Sequence, residues 1–255
     1  MRRTFGTLIL AALVAFSSST ELFADADEFE SLRTALSATD RAEADRNRDA
    51  GRKPAEVVSF LGITPGMTVV DLIAASGYYT EVLSIAVGPM GTVYAQNTAA
   101  ALQFRDGASD KAMAARLEND RLANVIRWDR EFEDLGLEAN SIDVALTALN
   151  FHDIYNGAGP EAAAGFLTAV YAILVPGGVL GIVDHSGASG ADNKALHRIE
   201  EDLVVASAEA AGFTVAARSD LLRNADDPRT AGVFDPSVRG HTDRFLLRLK
   251  KPVGD

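Results

Sequence analysis

The sequence predicts a doubly wound α/β domain: a mostly parallel, seven-stranded sheet with an antiparallel final strand. Three observations carry this. Short apolar, β-branched runs alternate with helical patterns along the chain, which is the signature of strand–helix–strand units. Turn signals built on Gly and Pro stand at the junctions. The last two strand runs have no helical pattern between them, so they pair antiparallel rather than through a crossover.

The elements follow in order. Pro54 suits a helix first turn, Ala55 to Leu61 reads as helix, and Gly62 terminates it. Pro65-Gly66 turns the chain into a buried strand, Met67 to Leu72. Tyr78 to Val87 is helical and ends at Gly88-Pro89; Thr92 to Gln96 is the second strand. Thr98 is a good N-cap for a helix over Ala99 to Asn119, which Gly107 weakens. Val125 to Trp128 and Ile142 to Leu149 are the third and fourth strands. An amphipathic helix, Glu161 to Leu174, closes at Pro176-Gly177-Gly178, and Val179 to Val183 is the fifth strand. Ala195 to Ala211 reads as a long helix; Phe213 to Ala217 and Arg244 to Leu249 complete the sheet. Neither a repeat nor a low-complexity tract interrupts the chain.

Composition narrows the function. The 255 residues carry 24 Lys and Arg against 36 Asp and Glu, a net charge of −12. Such a balance argues against a nucleic-acid partner, whose affinity rests on neutralising phosphates, and against an anionic membrane surface. The absence of cysteine removes disulfides, thiolate metal sites and cysteine nucleophiles. Residues 1–26 have the three parts of a secretory signal: Arg2-Arg3, the apolar run Leu8 to Phe16, and Ala24-Asp25-Ala26. The run is too short for a permanent membrane helix, so no stable membrane insertion is expected after processing. The expected location is periplasmic or secreted, with the export route, general or twin-arginine, left open. Residues 27–52 form a charged, helical N-terminal arm, and a run of that kind by itself says only that it is solvated. The α/β domain occupies 53–255. Oligomeric state has no sequence signature here.

In a doubly wound sheet, ligands sit beyond the carboxyl ends of the strands, where strand order reverses. The first such loop is Asp71-Leu72-Ile73-Ala74-Ala75-Ser76-Gly77-Tyr78-Tyr79. With Leu174-Val175-Pro176-Gly177-Gly178 before the fifth strand, the chain resembles the class I S-adenosylmethionine-dependent methyltransferases. More narrowly, Phe60 to Met67, Gly77-Tyr78-Tyr79-Thr80-Glu81, Val93 to Asn97 and Arg239 to Phe245 resemble a group of exported bacterial methyltransferases. The resemblance implies a Rossmann-like methyltransferase fold, S-adenosylmethionine as cofactor and a small-molecule acceptor.

It also implies cofactor contacts at Asp71, Ala75, Gly77, Tyr79, Asn97, Asp129 and Asn150. The family carries three alternate glycines in the loop; this chain has Ile73, Ala75 and Gly77. A β-branched residue resists positive φ, so either Ile73 is extended or cofactor affinity is reduced. The family's ribose-binding acid is replaced by Gln96-Asn97. These departures leave open a ligand-binding module that no longer methylates. They also count against a nicotinamide-dinucleotide reading, which wants G-x-G-x-x-G and a later acid. Asp129 falls where the family meets the adenine amino group; Trp128 either packs beside that ring or belongs to the core. Tyr79 either closes over the methionine end or packs on the sheet, and the resemblance implies an arm over the cleft with Arg46, Arg48 and Arg52 as candidate contacts.

For catalysis the candidates are His152 and Asp153 after the fourth strand, His152 as base and Asp153 as the group that either orients it or stabilises its charge. The alternative is that His152 caps a turn. A metal site from His152, Asp153, Asp184 and His185 lacks short His spacing and draws on separate loops, so no metal is expected. His197, inside the long helix among Arg198, Glu200 and Glu201, reads as solvated surface.

Overall fold

The structure, a computed structural model, describes residues 19–38 and 40–254. The elements are α1 (Ser19–Leu36), α2 (Glu43–Arg52), α3 (Pro54–Leu61), β1 (Thr68–Leu72), α4 (Tyr78–Val87), β2 (Thr92–Asn97), α5 (Ala99–Leu117), β3 (Val125–Asp129), β4 (Ile142–Ala148), α6 (Phe151–Asp153), α7 (Pro160–Ile173), β5 (Leu174–His185), α8 (Glu201–Ala210), β6 (Thr214–Ser219) and β7 (Arg244–Lys250). The seven strands lie in the order β3-β2-β1-β4-β5-β7-β6. All neighbours are parallel except β7, which is antiparallel to both β5 and β6. Strand order reverses between β1 and β4, so the switch-point crevice lies over the ends of those two strands.

The central strands of the sheet are buried on both faces. Phe151, Phe166, Leu167, Leu180 and Phe245 belong to the core on one face. Val57, Leu61, Leu83, Leu146 and Leu246 belong to the other. A Cβ on Gly181 would stand 2.6 Å from Leu61 Cδ1, so the bare β5 backbone at that point lets α3 seat directly on the sheet. Among the described residues no helix is long and apolar enough to cross a membrane.

Three elements differ from their sequence patterns. First, the long helix expected over Ala195–Ala211 begins only at Glu201. In the preceding irregular stretch Arg198 is fully buried and forks onto Asp227 at 2.8 and 3.1 Å. Second, α5 breaks at Phe104–Gly107, where four residues leave helical geometry. Third, the charged arm is not merely solvated. Helix α1 runs across the expected cleavage point after Ala26, whereas residues 1–18 of the expected signal peptide lie outside the described residues. In α2 and the turn before it, Arg41 and Asp45 are buried and paired. Arg41 bonds Asp49 at 2.6 Å, and Asp49 accepts the Tyr78 hydroxyl at 2.6 Å. Arg116 joins Asp45 at 2.6 Å, pairs with buried Glu81, and donates to the Ser76 carbonyl at 2.8 Å. Burial works against the Asp45 carboxylate, but its bonds to Arg48 and Arg116 hold it below the usual range.

Candidate functional site

The β1–α4 loop has the backbone of a glycine-rich loop without the glycines. Ile73, Ala75 and Gly77 all have positive φ, at 54°, 50° and 82°. The expected alternative of an extended Ile73 is therefore overturned: the loop keeps its path and carries the strain, about 1–2 kcal/mol for each L-residue in left-handed geometry. Hydrogen bonds supply the compensation. The Ile73 N–H donates to Gln96 Oε1 at 3.0 Å, Ala74 N–H to the Gln96 carbonyl at 2.9 Å, and Ala75 N–H to Asn97 Oδ1 at 2.8 Å. Asn150 Nδ2, from the end of β4, donates to the Ile73 carbonyl at 3.2 Å. Gly77 is retained where it is sterically required, since a Cβ there would lie 2.9 Å from Arg116 Cδ.

Three implied contacts take other roles. Asn97 is fully buried and its oxygen is committed to the Ala75 N–H, so it is not a free acceptor for two ribose hydroxyls. Its Nδ2 is buried without a partner. Asp129 pairs in register with Asn97 at the sheet edge but is exposed and accepts from Arg127 Nε at 2.8 Å. Trp128 donates its indole N–H to the Leu135 carbonyl at 2.6 Å and packs edge-on against Tyr94, which favours the core reading. Tyr79 is buried against Tyr78 in the core rather than arched over the cleft, and burial lifts its hydroxyl to about 12.

Asp71 ends β1 buried, accepting the Thr80 hydroxyl at 2.7 Å. Burial pushes its pKa up to about 7, against the lowering effect of the Thr80 bonds and of Arg52. A raised carboxyl stabilises the fold fully below its ordinary value of 3.8 and loses that contribution as pH rises through about 7. Asp71→Asn removes the dependence. Thermal unfolding of the variant is expected to change less between pH 5 and pH 8 than that of the wild type. An unchanged slope would sink the assignment.

At the ends of β4 and β5 the residues converge differently from expectation. His152 sits in the single turn α6, and its ring does not cap that turn. Its Nδ1 meets Asp184 Oδ1 at 2.7 Å, while its backbone N–H donates to Asp184 Oδ2 at 2.7 Å. Asp184, fully buried, also accepts the His185 N–H at 2.7 Å. The orienting carboxylate is thus Asp184, not Asp153. Burial lowers the His152 pKa, but the Asp184 charge and hydrogen bond outweigh it and leave it raised. Asp153 lies on the Nε2 side at 3.4 Å and is 3.1 Å from His197 Nδ1. His152, Asp153 and His197 offer ligand atoms all within 4.8 Å of one another, close enough for a metal, and His197 is not isolated surface. The two strand ends meet because β4 and β5 are register neighbours, Ala148 beside Val183.

Sequence reasoning gave His185 no role beyond the rejected metal site. It bonds Thr242 at 2.7 Å, and burial pulls its pKa down to about 3, so it is neutral at pH 7. His185 and Leu149 line a cavity of about 420 Å³ over the strand ends. Arg48 and Arg52 reach the same cavity; Arg46 does not line it. Arg52 stacks on Tyr78 at 4.4 Å and sits 5.8 Å from the Tyr79 ring.

No protein-family model matches the sequence, and no curated protein sequence matches it. Solved structures do match. A methyltransferase of Aquifex aeolicus described as S-adenosylmethionine-dependent aligns with TM-score 0.58 at 21% identity, over 78% of this chain and 89% of that one. The [4+2]-cyclase SpnF aligns with TM-score 0.62 at 15% identity, over 92% and 95%. The 1,6-didemethyltoxoflavin-N1-methyltransferase of Burkholderia thailandensis, solved with S-adenosylhomocysteine, aligns with TM-score 0.53 at 19% identity, over 95% and 93%. Sheet order, antiparallel β7 and these alignments agree: this chain has the Rossmann-like fold of the class I S-adenosylmethionine-dependent methyltransferases.

Proposed function

We propose that this chain is an S-adenosylmethionine-dependent methyltransferase-like protein acting on a small molecule. The observation that carries the reading is the β1–α4 loop, which keeps positive φ at Ile73, Ala75 and Gly77 although two of these are not glycine. A backbone held in that geometry against its own side-chain preferences points to a ligand that uses it. The residues that fit the cofactor are this loop, the N-terminal turn of α4, the unpartnered Asn97 Nδ2, Asn150 and Arg52. When bound, the cofactor supplies an electrophilic methyl on a sulfonium. The chain's own share is alignment and proton removal. Asp184 fixes His152 with its Nδ1 engaged, so that Nε2 is the atom available to take a proton, and Asp153 stands beside it to share the charge.

A second reading is a binding module that holds a nucleoside-like ligand without methyl transfer. It is favoured by the committed Asn97 oxygen and the Asp129–Arg127 pair, which leave the usual adenosine contacts spent. The neighbour SpnF, named as a cyclase, illustrates the fold carrying another activity. Export through residues 1–26, also proposed, adds weight to this reading, because S-adenosylmethionine is made in the cytoplasm.

Calorimetric titration of the full chain with S-adenosylmethionine and S-adenosylhomocysteine tests the first reading. Binding of both is expected. The absence of heat and of any thermal shift at millimolar ligand overturns it.

A further inference from the structure

The cavity over Leu149 and His185 has a charge character opposite to that of the molecule. Five arginines line it, Arg48, Arg52, Arg105, Arg239 and Arg244, and no aspartate or glutamate does. This is in a chain with 36 acidic residues and a net charge of −12. The cations come from four separate parts of the fold: helix α2, the break in α5, the turn before β7 and the start of β7.

Their own partners do not account for them. Arg48 has Asp45. Arg244 is buried and donates only to carbonyls, Gly51 at 2.7 Å and Thr242 at 3.3 Å. Arg52 rests on tyrosine rings. Among the described residues, none of Arg52, Arg105, Arg239 and Arg244 forms an ion pair with a carboxylate. Burial pushes the pKa of Arg52 and of Arg244 down, and a neighbouring like charge lowers each further, Arg48 beside Arg52 and Arg52 beside Arg244. Uncompensated buried charge destabilises a fold unless something outside the chain neutralises it. The cofactor of the proposed reaction cannot do so. It carries a sulfonium and an ammonium against a single carboxylate, and one guanidinium fork is enough for that carboxylate.

We propose, resting on the methyltransferase reading, that the acceptor is a small anion bearing carboxylate or phosphate groups, bound in this cavity by Arg105, Arg239 and Arg244. Neutral His185 forms the cavity wall behind it, in ring contact distance of His152, with the two centroids 5.7 Å apart. The acceptor's charge then orients its nucleophile toward the β4–β5 edge, and the cationic cavity draws it out of solution against the repulsion of an acidic surface.

The test uses citrate as the carboxylate probe and pyrophosphate as the phosphate probe. Each is titrated calorimetrically into the full chain at constant ionic strength, with and without S-adenosylhomocysteine. The comparison is the double variant Arg105→Met, Arg239→Met, whose two positions are exposed. At least one probe is expected to bind the wild type and to bind the variant about tenfold or more weakly. S-adenosylhomocysteine affinity is expected to stay the same in both proteins, and the tighter of the two probes identifies the anion class. No probe binding, or equal affinity in wild type and variant, overturns the proposal. If S-adenosylhomocysteine still binds in that case, the methyltransferase reading survives alone. Arginine-dependent anion binding without S-adenosylhomocysteine binding upholds the anion cavity and removes the methyltransferase reading.

Discussion

Arg198→Met is expected to cost the folded state about 3–5 kcal/mol, because it strands a buried carboxylate. Arg198 and Asp227 have fully buried side chains and meet through a two-pronged contact. The guanidinium also donates to the carbonyls of Ser186 and Ala231, each at 3.1 Å. Asp227 accepts the backbone N–H of Arg229 at 2.9 Å and of Asp243 at 2.6 Å. Burial raises its pKa, yet Arg198 and these N–H groups together hold it below the ordinary value. A lowered carboxylate stabilises the fold above its unfolded value near 4 and loses that contribution as pH falls through the folded one. The difference between wild type and variant therefore narrows on strong acidification. Urea unfolding, read as a shift in midpoint at unchanged slope, measures the loss. A second variant, Arg198→Met with Asp227→Asn, is expected to recover part of it by removing the stranded charge. A midpoint shift below about 1 kcal/mol for the single variant would show that the pair contributes only what a surface pair does.

Ile73→Gly with Ala75→Gly is expected to act on both stability and ligand binding. Both positions hold positive φ, where glycine is at ease and L-residues are not. Relief of about 1–2 kcal/mol at each is offset in part by the greater freedom of glycine in the unfolded chain, roughly 0.5–1 kcal/mol per site. The net expectation is a gain of about 1–2 kcal/mol and a higher unfolding temperature. S-adenosylhomocysteine is expected to bind more tightly, because the backbone path is kept while the strain of holding it is relieved. Weaker binding with raised stability would mean that Ile73 itself contacts the ligand.

The strand–helix alternation was legible because each unit is punctuated locally, by Pro65-Gly66, Gly88-Pro89 and Pro176-Gly177-Gly178. The antiparallel end of the sheet was legible from a missing helix. What failed to show were partnerships across long stretches of chain. The arm read as solvated because Asp45 and Asp49 find Arg116 and Tyr78 far downstream. Ile73 read as a misfit because β-branched preference is local, whereas the bonds from Gln96 and Asn150 that override it are not. Of the two roles offered for Asp153, orienting belongs to Asp184; sequence adjacency stood in for the β4–β5 register that brings Asp184 to His152. The signal that could have corrected this is positional: His152 and Asp184 both follow strand ends on the same sheet edge. The anion cavity had no local trace, because its five arginines are spread from residue 48 to residue 244.

Arg116 reaches three places at once: Ser76 in the β1–α4 loop, Glu81 on α4 and Asp45 on the arm. In the language of linked equilibria, docking of the arm and ordering of the loop are then one event. A molecule that binds only the ordered loop draws the arm down with it, by RT ln(1 + [L]/Kd). An arm that lifts must release the loop to do so. Exposure of α2 thereby becomes a readout of ligand occupancy.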